Sequence, residues 1–159
     1  MNATSDELQT PFKVLFLCTG NYYRSRFAEI LFNTLAEEAD LNWRALSRGI
    51  ATDLGINNAG AMSIDAIKGL EARSIFIGDG VPFPIQLQER DLEDANLIIA
   101  LKEAEHRLLL EKRFPSWPDK VKYWHIDDLD RAPAKIALVK IEREVTRLIL
   151  GLSKASPNL

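Results

Sequence analysis

The stretch that decides the fold is Val14-Leu15-Phe16-Leu17-Cys18-Thr19-Gly20-Asn21-Tyr22-Tyr23-Arg24-Ser25. Its first four residues are all apolar, which is typical of a strand buried on both faces. A polar turn that contains a glycine follows. Apolar residues then recur at helical spacing up to about residue 39. This stretch therefore predicts a strand, a tight loop and a helix in succession.

The rest of the chain repeats this alternation of strands and helices. Further apolar runs predict strands at 43–46, 75–77, 97–101 and 121–125. Helical spacing predicts helices over 61–70, 103–113 and 134–152. We expect one α/β domain over residues 1–159, a doubly wound, mostly parallel four-stranded sheet with helices on both faces. Residues 1–11 are predicted to be a flexible lead-in and 153–159 a loose tail.

Composition narrows the function classes. The chain has 159 residues, 47% of them hydrophobic, and a net charge of -3 with its basic residues spread along the chain, which speaks against nucleic acid as a partner. No apolar run approaches the roughly 20 residues that span a bilayer, so no membrane association is expected. A single cysteine excludes an intramolecular disulfide and suits a reducing compartment. The polar, acidic first residues do not resemble a signal peptide. We therefore expect a cytoplasmic protein.

The turn after the first strand is a candidate anion site. In doubly wound sheets, ligands bind beyond the carboxyl ends of the strands, and Cys18 occupies that place. Gly20 and Asn21 tolerate unusual backbone angles. A helix that begins near Ser25 offers free amide donors and a positive dipole end. The residues predicted to bind phosphate are Thr19, Gly20, Asn21, Tyr22, Tyr23 and Arg24.

Cys18 is the candidate nucleophile of this site. The loop amides and the Arg24 guanidinium should stabilise its thiolate, which attacks phosphorus. The planar fork of Arg24 fits two phosphate oxygens, and the Ser25 hydroxyl is placed to donate to the sulfur. A lone cysteine at a strand end is, however, more often a small buried hydrophobe. The residues alone leave both interpretations open.

The string from Cys18 to Ser25 resembles the phosphate-binding loop of the low-molecular-weight protein tyrosine phosphatases, whose pattern is C-x-G-N-x-x-R-S. Ser47-Arg48-Gly49 is similar to the Ser-Ala-Gly that follows the second strand of that family. The segment 124–129, which reads W-H-I-D-D-L, is similar to its late W-x-I-x-D-P segment. The resemblance covers most of residues 13–152.

The resemblance implies a phosphomonoester hydrolase that acts through a cysteinyl-phosphate intermediate. It implies that Asp128 protonates the leaving group and then activates water. Asn21 would hold the loop in shape, and Ser47 would brace Asn21. Neither a metal ion nor a cofactor would be needed, because Arg24 and the loop amides supply the positive field.

The acidic residues around Asp128 allow two interpretations. Asp127, Asp128 and Asp130 precede a helix, where carboxylates also serve as caps and as partners of the helix dipole. In the catalytic interpretation, neighbouring acids raise one another's proton affinity, which suits a general acid. His106 and His125 are expected to be surface or packing residues.

Three departures from the family pattern bear on the substrate. Leu129 stands where the family has a proline after its catalytic aspartate. Asp130 and Arg131 replace a pair of tyrosines, and Asp53 replaces an aromatic wall. The two tyrosines of the loop either restore aromatic contact or pack against the sheet. The expected substrate is a phosphorylated protein or a small phosphomonoester, with phosphotyrosine as one possibility.

Two other functions remain open at this point. An arsenate reductase shares the loop but would need an external thiol here, because the chain has no second cysteine. A non-catalytic phosphate-sensing module would bind the anion without turnover. Neither the natural substrate nor the oligomeric state follows from the sequence.

Overall fold

In the computed structural model, which describes residues 10–155, the strands form one four-stranded parallel sheet. The strands are β1 Phe12–Cys18, β2 Trp43–Gly49, β3 Leu97–Ala100 and β4 Lys122–Tyr123. Their order is β2-β1-β3-β4, with β1 hydrogen-bonded to a neighbour on each side. All the strands of this sheet end at the same edge, so their carboxyl ends converge there. The predicted doubly wound parallel sheet is confirmed.

Within residues 10–155, five α-helices cover both faces of the sheet. They are α1 Arg24–Glu38, α2 Ile64–Glu71, α3 Glu89–Asp94, α4 Glu103–Arg113 and α5 Ala134–Ala155. Short 3-10 helices form at Thr52–Gly55 and Pro118–Lys120. α1, α2 and α5 share one core with one face of the sheet, and α3 and α4 share a second core with the other.

The side chains of β1 alternate between these two cores. Val14 and Phe16 point into the core of α1, α2 and α5, whereas Leu15 and Leu17 point into the opposite one. All four side chains are fully buried. Burial of each contributes on the order of 1.5–3 kcal/mol of hydrophobic free energy. β1 is thereby fixed on both faces, and its carboxyl end holds Cys18 in a defined position.

The end of β2 packs closely against the turn that follows β1. Gly49 pairs with Cys18 in the parallel register. A Cβ atom at Gly49 would lie 2.9 Å from the carbonyl carbon of Gly20 and 2.6 Å from the Cγ2 atom of Thr52. Because such distances are too short for real contacts, only glycine lets these segments meet.

The region around α2 differs from the prediction. The expected strand at 75–77 is wrong, because the Ile75 amide donates to the Leu70 carbonyl and folds the chain back onto the end of α2. The helix predicted over 61–70 begins only at Ile64, since Ser63 caps it by accepting from the Asp65 amide at 3.1 Å. Ser63 is a typical N-cap residue.

The prediction also missed smaller features. α3 was not expected, and β4 is shorter than the strand predicted at 121–125. α5 continues to Ala155, so residues 153–155 of the predicted loose tail are helical; Leu152 packs against the core there, and Ser153 bonds back to the Ile149 carbonyl. The rest of that tail, 156–159, and residues 1–9 of the predicted lead-in lie outside the described residues. Within residues 10–155, no helix combines the length and apolar character that a membrane span requires.

Candidate active site

β1 delivers Cys18 to the edge of the sheet where the parallel strands end. The Cys18 residue is only 3% exposed. Its sulfur lies 2.9 Å from the Ser25 hydroxyl oxygen, so it contacts a polar group and is not merely an apolar core residue. The carbonyls of Cys18 and Thr19 accept hydrogen bonds from the Ile50 and Ala51 amides, which anchor the start of the 18–24 loop to the end of β2.

Asn21 organises the interior of the 18–24 loop. Its side-chain amide donates to the hydroxyls of Ser25 at 3.0 Å and Ser47 at 2.9 Å. Its side-chain oxygen accepts from the Ile85 amide at 2.9 Å. Because Ser25 accepts from Asn21, its own proton is free to point at the Cys18 sulfur, where it stabilises a thiolate. The predicted contacts of Asn21, Ser25 and Ser47 are all present.

The backbone of the 18–24 loop turns sharply and leads directly into a helix. Asn21 lies in the left-handed region with φ of 53°, whereas Gly20 does not have a positive φ. α1 begins at Arg24, and Tyr23, the residue before it, provides no side-chain cap. The first amide groups of a helix have no partner within it and mark its positive dipole end. These donors suit a phosphate oxygen.

Arg24 is buried and held end-on by a carboxylate. Its Nη1 and Nη2 atoms donate to the two carboxylate oxygens of Glu105 at 3.1 and 2.9 Å, and Nη1 also donates to the Ile126 carbonyl at 3.0 Å. Within residues 10–155, its Nε atom is buried and has no hydrogen-bond partner. The donors that remain, on Nε and Nη2, lie along one edge of the guanidinium. That edge is the one available to two phosphate oxygens.

Glu105 is the centre of a polar cluster at the start of α4. It accepts from the Thr19 hydroxyl as well as from Arg24, and one of its oxygens lies 3.3 Å from the Nε2 atom of His106. The Nδ1 atom of His106 accepts from the Lys102 amide at 3.0 Å, so in the neutral ring the proton is on Nε2 and faces Glu105. The cluster thus fixes both the guanidinium and the loop.

The charges in this cluster follow from its surroundings. Burial works against the charge of Glu105, but the hydrogen bonds and positive charge of Arg24, together with the adjacent His106 ring, hold the pKa of its carboxyl well below its usual range. Burial lowers the pKa of His106, which favours the neutral ring. His106 was expected to be a surface or packing residue, and it is fully buried beside the site.

Sequence reasoning missed Glu105. A signal was present in the sequence, because Glu105 lies in the first turn of the helix that follows β3, at the carboxyl edge where ligands bind in doubly wound sheets. Its partner Arg24 is 81 positions away, and no periodic pattern links residues at that separation.

Asp128 is the member of the acidic cluster that faces Arg24. One of its carboxylate oxygens lies 3.5 Å from the Nη2 atom of Arg24, and its side chain is 45% exposed. Asp127 instead bonds to the Lys102 ammonium at 2.6 Å, and this hydrogen bond lowers its pKa. The expectation that neighbouring acids raise one another's proton affinity is therefore wrong for Asp127, because a lysine neutralises it.

The tyrosines of the loop pack against the interior. Tyr23 is buried in the core of α1, α2 and α5, and this burial raises its pKa to about 12. Tyr22 packs against the same core and donates through its hydroxyl to the Ala59 carbonyl at 2.5 Å. The alternative left open by the sequence is thereby decided for packing.

A cavity of about 620 Å³ opens beside the 18–24 loop. Its lining combines Thr19 and Glu105 with Leu54, Leu108 and Leu109. Asp53, which replaces the expected aromatic wall, bonds at 2.7 Å to Arg113 near the end of α4. The position next to it, Leu54, supplies apolar surface instead. Within residues 10–155, no group of three His, Cys, Asp or Glu side chains is arranged to hold a metal ion.

The Glu105 cluster leads to a prediction about both activity and stability. We expect Glu105→Gln to lower kcat/KM by about 10- to 100-fold, because a charged hydrogen bond to Arg24 is worth about 1.5–3 kcal/mol. Its low folded-state pKa means that Glu105 stabilises the fold above the unfolded pKa of about 4.3, and that this contribution is lost as the pH falls.

Urea unfolding between about pH 5 and pH 3 measures this stability effect. We expect the free energy of unfolding to fall less steeply with decreasing pH in the Glu105→Gln variant than in the wild type. Glu103→Gln is the matched control, because Glu103 lies on the same helix and pairs with Arg107 at the surface. If the two variants have the same kcat/KM and the same dependence of the unfolding free energy on pH, the assigned role of Glu105 is wrong.

Comparisons with known proteins agree with this geometry. The family model of the low molecular weight phosphotyrosine protein phosphatases matches residues 13–155. A protein-arginine-phosphatase of Bacillus subtilis is 31% identical over 149 residues, which are 89% of this chain and 94% of that protein.

Solved structures agree as well. A low-molecular-weight protein tyrosine phosphatase from T. tengcongensis is 27% identical with a TM-score of 0.70, covering 91% of this chain and 99% of that one. A low-molecular-weight protein tyrosine phosphatase from Bacillus subtilis is 25% identical with a TM-score of 0.72, covering 90% of this chain and 98% of that one. The chain belongs to the low-molecular-weight phosphotyrosine protein phosphatase family and is a cysteine-dependent phosphatase of that type.

Proposed function

We propose that the protein removes phosphoryl groups from phosphorylated protein side chains, with Cys18 as nucleophile, Arg24 as phosphate ligand and Asp128 as general acid and base. One observation carries this proposal: the Cys18 sulfur, hydrogen-bonded to Ser25, shares one short loop with a buried guanidinium whose Nε atom has no hydrogen-bond partner within residues 10–155. A thiolate and a cation that converge on one oxyanion are what phosphoryl transfer to sulfur requires.

The first step transfers the phosphoryl group to sulfur. The Cys18 thiolate attacks phosphorus, an S–P bond forms, and the bond from phosphorus to the leaving atom breaks. Asp128 gives its proton to that leaving atom. The Nε and Nη2 donors of Arg24 and the loop amides bind the phosphoryl oxygens and stabilise the charge that develops on them.

The second step regenerates the enzyme. A water molecule attacks the cysteinyl-phosphate and gives a proton to the Asp128 carboxylate. The S–P bond breaks, inorganic phosphate leaves, and the Cys18 thiolate forms again. The Ser25 hydroxyl, which lies 2.9 Å from the sulfur, stabilises this leaving thiolate by donating to it.

The role of Asp128 gives a prediction that depends on the leaving group. We expect Asp128→Asn to reduce kcat about 10²- to 10⁴-fold on phenyl phosphate, a poor leaving group, and less on p-nitrophenyl phosphate. A general acid must carry its proton, so the wild-type rate falls as the pH rises, and this dependence should disappear in the variant.

Profiles of kcat against pH for the wild type and for Asp128→Asn measure this effect. Asp130→Asn is the matched control, because Asp130 is an exposed acid two positions away. If Asp128→Asn keeps the wild-type rate on phenyl phosphate, another group is the acid.

Phosphoarginine is the substrate that we propose. The Asp128 carboxylate already lies 3.5 Å from a guanidinium, that of Arg24, so it is placed to protonate and then bind the guanidinium that leaves from phosphoarginine. The aromatic wall that favours a phenyl ring is replaced by Asp53, and Asp130 and Arg131 stand in place of the pair of tyrosines. The 31% identical relative is a protein-arginine-phosphatase, which supports the same substrate.

Phosphotyrosine is the second candidate, and a different observation favours it. The cavity beside Thr19 offers leucine side chains, Leu54 and Leu108 among them, that are exposed and able to cover a phenyl ring. The solved relatives named above include protein tyrosine phosphatases.

Peptides of one sequence, carrying phosphoarginine or phosphotyrosine at the same position, discriminate these candidates. We expect kcat/KM to be at least about tenfold higher for phosphoarginine. The opposite ratio would assign phosphotyrosine. Binding of both peptides without turnover, together with no hydrolysis of p-nitrophenyl phosphate, would overturn the proposed reaction and indicate a phosphate-sensing module.

A further inference from the structure

A second arginine, Arg26, is buried directly behind the 18–24 loop. The residue is only 3% exposed. Its Nη1 atom donates to the carbonyls of Asn21 at 3.3 Å and Ala61 at 3.2 Å, and its Nη2 atom donates to the Pro82 carbonyl at 2.8 Å. One guanidinium therefore joins three segments that are distant in sequence.

The two segments outside the 18–24 loop, at Ala61 and Pro82, each contact that loop in their own right. The segment at Ala61 continues to Ser63, whose amide donates to the Tyr22 carbonyl at 3.0 Å. The segment at Pro82 continues to Ile85, whose amide donates to the Asn21 side chain. Arg26 is thus the common donor that holds the loop and both of its supports together.

The charge of Arg26 is unusual for its position. It lies in the first turn of α1, together with Arg24, and that turn contains no acidic residue. A cation at the positive end of a helix dipole is unfavourable. In the described part of the chain, the hydrogen bonds of its guanidinium end on carbonyl oxygens and none ends on a carboxylate.

A buried cation in this setting needs a compensating anion close by. Burial lowers the pKa of Arg26, while the negative charges of Glu29 and of a Cys18 thiolate act in the opposite direction. Glu29 offsets part of this charge, although burial raises the pKa of its carboxyl. The Cys18 thiolate is the other negative charge that favours the cationic form of Arg26, and a phosphoryl group bound in the 18–24 loop would add to it.

We propose that Arg26 is a positioning residue of the active site: it holds the left-handed turn at Asn21 and supplies a buried positive charge that stabilises the Cys18 thiolate and the bound phosphoryl group. This inference rests on the proposed role of Cys18. It adds a second cation to the site, one that acts from behind the loop and does not touch the substrate.

Two substitutions separate the charge of Arg26 from its hydrogen bonds. Arg26→Lys keeps the charge but cannot reach three carbonyls with a planar fork, whereas Arg26→Gln loses both. Arg73→Gln is the matched control, because Arg73 also donates to a backbone carbonyl, that of Gly69, but packs against Glu142 away from the loop. The readouts are the rate of Cys18 alkylation by iodoacetamide near neutral pH and the inhibition constant of inorganic phosphate against p-nitrophenyl phosphate.

We expect Arg26→Gln to slow alkylation about tenfold, because the thiolate loses a nearby cation, while Arg26→Lys stays within about threefold of wild type. Both variants should bind inorganic phosphate about tenfold more weakly, because the loop loses its common donor. If both variants match Arg73→Gln in alkylation and in phosphate inhibition, Arg26 is only structural and the inference is wrong.

If Arg26→Gln does not fold, Arg26→Lys decides alone, and an unchanged phosphate inhibition constant overturns the inference. Turnover of p-nitrophenyl phosphate by wild type, and its loss in Cys18→Ser, tests the proposed function separately. A failure of the Arg26 inference therefore leaves that function standing.

Discussion

We expect replacement of Cys18 by serine to reduce kcat on p-nitrophenyl phosphate by at least about 10⁴-fold, because removal of a nucleophile costs on that order. A serine hydroxyl at this position remains protonated, because the group hydrogen-bonded there is the Ser25 hydroxyl and not a general base. The loop amides and Arg24 do not depend on the sulfur, so the variant should still bind inorganic phosphate.

Steady-state kinetics and isothermal titration with inorganic phosphate measure the two halves of this prediction. Thermal unfolding confirms that the variant is folded. A Cys18→Ser variant that keeps more than about a tenth of the wild-type kcat would show that another group attacks phosphorus.

Arg24→Lys should reduce kcat/KM by about 10³-fold, the upper end of what one transition-state donor contributes. The wild-type guanidinium bonds end-on to Glu105 and leaves its Nε edge for the phosphoryl oxygens. A lysine ammonium is a single point charge that cannot serve both directions at once. It would be drawn toward Glu105 and away from the substrate.

Kinetics with p-nitrophenyl phosphate test the Arg24 prediction. Arg73→Lys is the control, because Arg73 also bonds to a glutamate, Glu142, but does so at the surface and away from the loop. A loss below about tenfold in Arg24→Lys would mean that charge alone, without the fork, holds the phosphoryl group.

Local patterns were enough to predict most of the fold. The apolar run of β1 and the helical repeat of α1 arise from residues next to one another in sequence, and both elements are present. The strand expected at 75–77 shows the limit of such patterns. Its residues have the right character, but the Ile75 amide is taken by the end of α2, so the segment does not join the sheet.

The site was predictable only in part for the same reason. Cys18, Ser25 and Asn21 lie within one short segment, and the sequence brings them together directly. Glu105 and Arg26 were not found, since their partners are distant in the chain and their roles depend on burial. A carboxylate that holds an arginine end-on cannot be recognised until both ends are placed in space.

The proposed mechanism is tested most directly by asking whether the Cys18 sulfur carries the phosphoryl group during turnover. Wild-type protein is mixed with p-nitrophenyl phosphate, quenched within a single turnover and digested for mass spectrometry. Because Cys18 is the single cysteine of the chain, a phosphoryl group on sulfur can have only one location. We expect the wild-type peptide containing Cys18 to gain one phosphoryl group, and the Cys18→Ser protein to release no p-nitrophenol in the same time. Steady hydrolysis by the wild type with no phosphoryl group ever present on Cys18 would contradict the proposed mechanism.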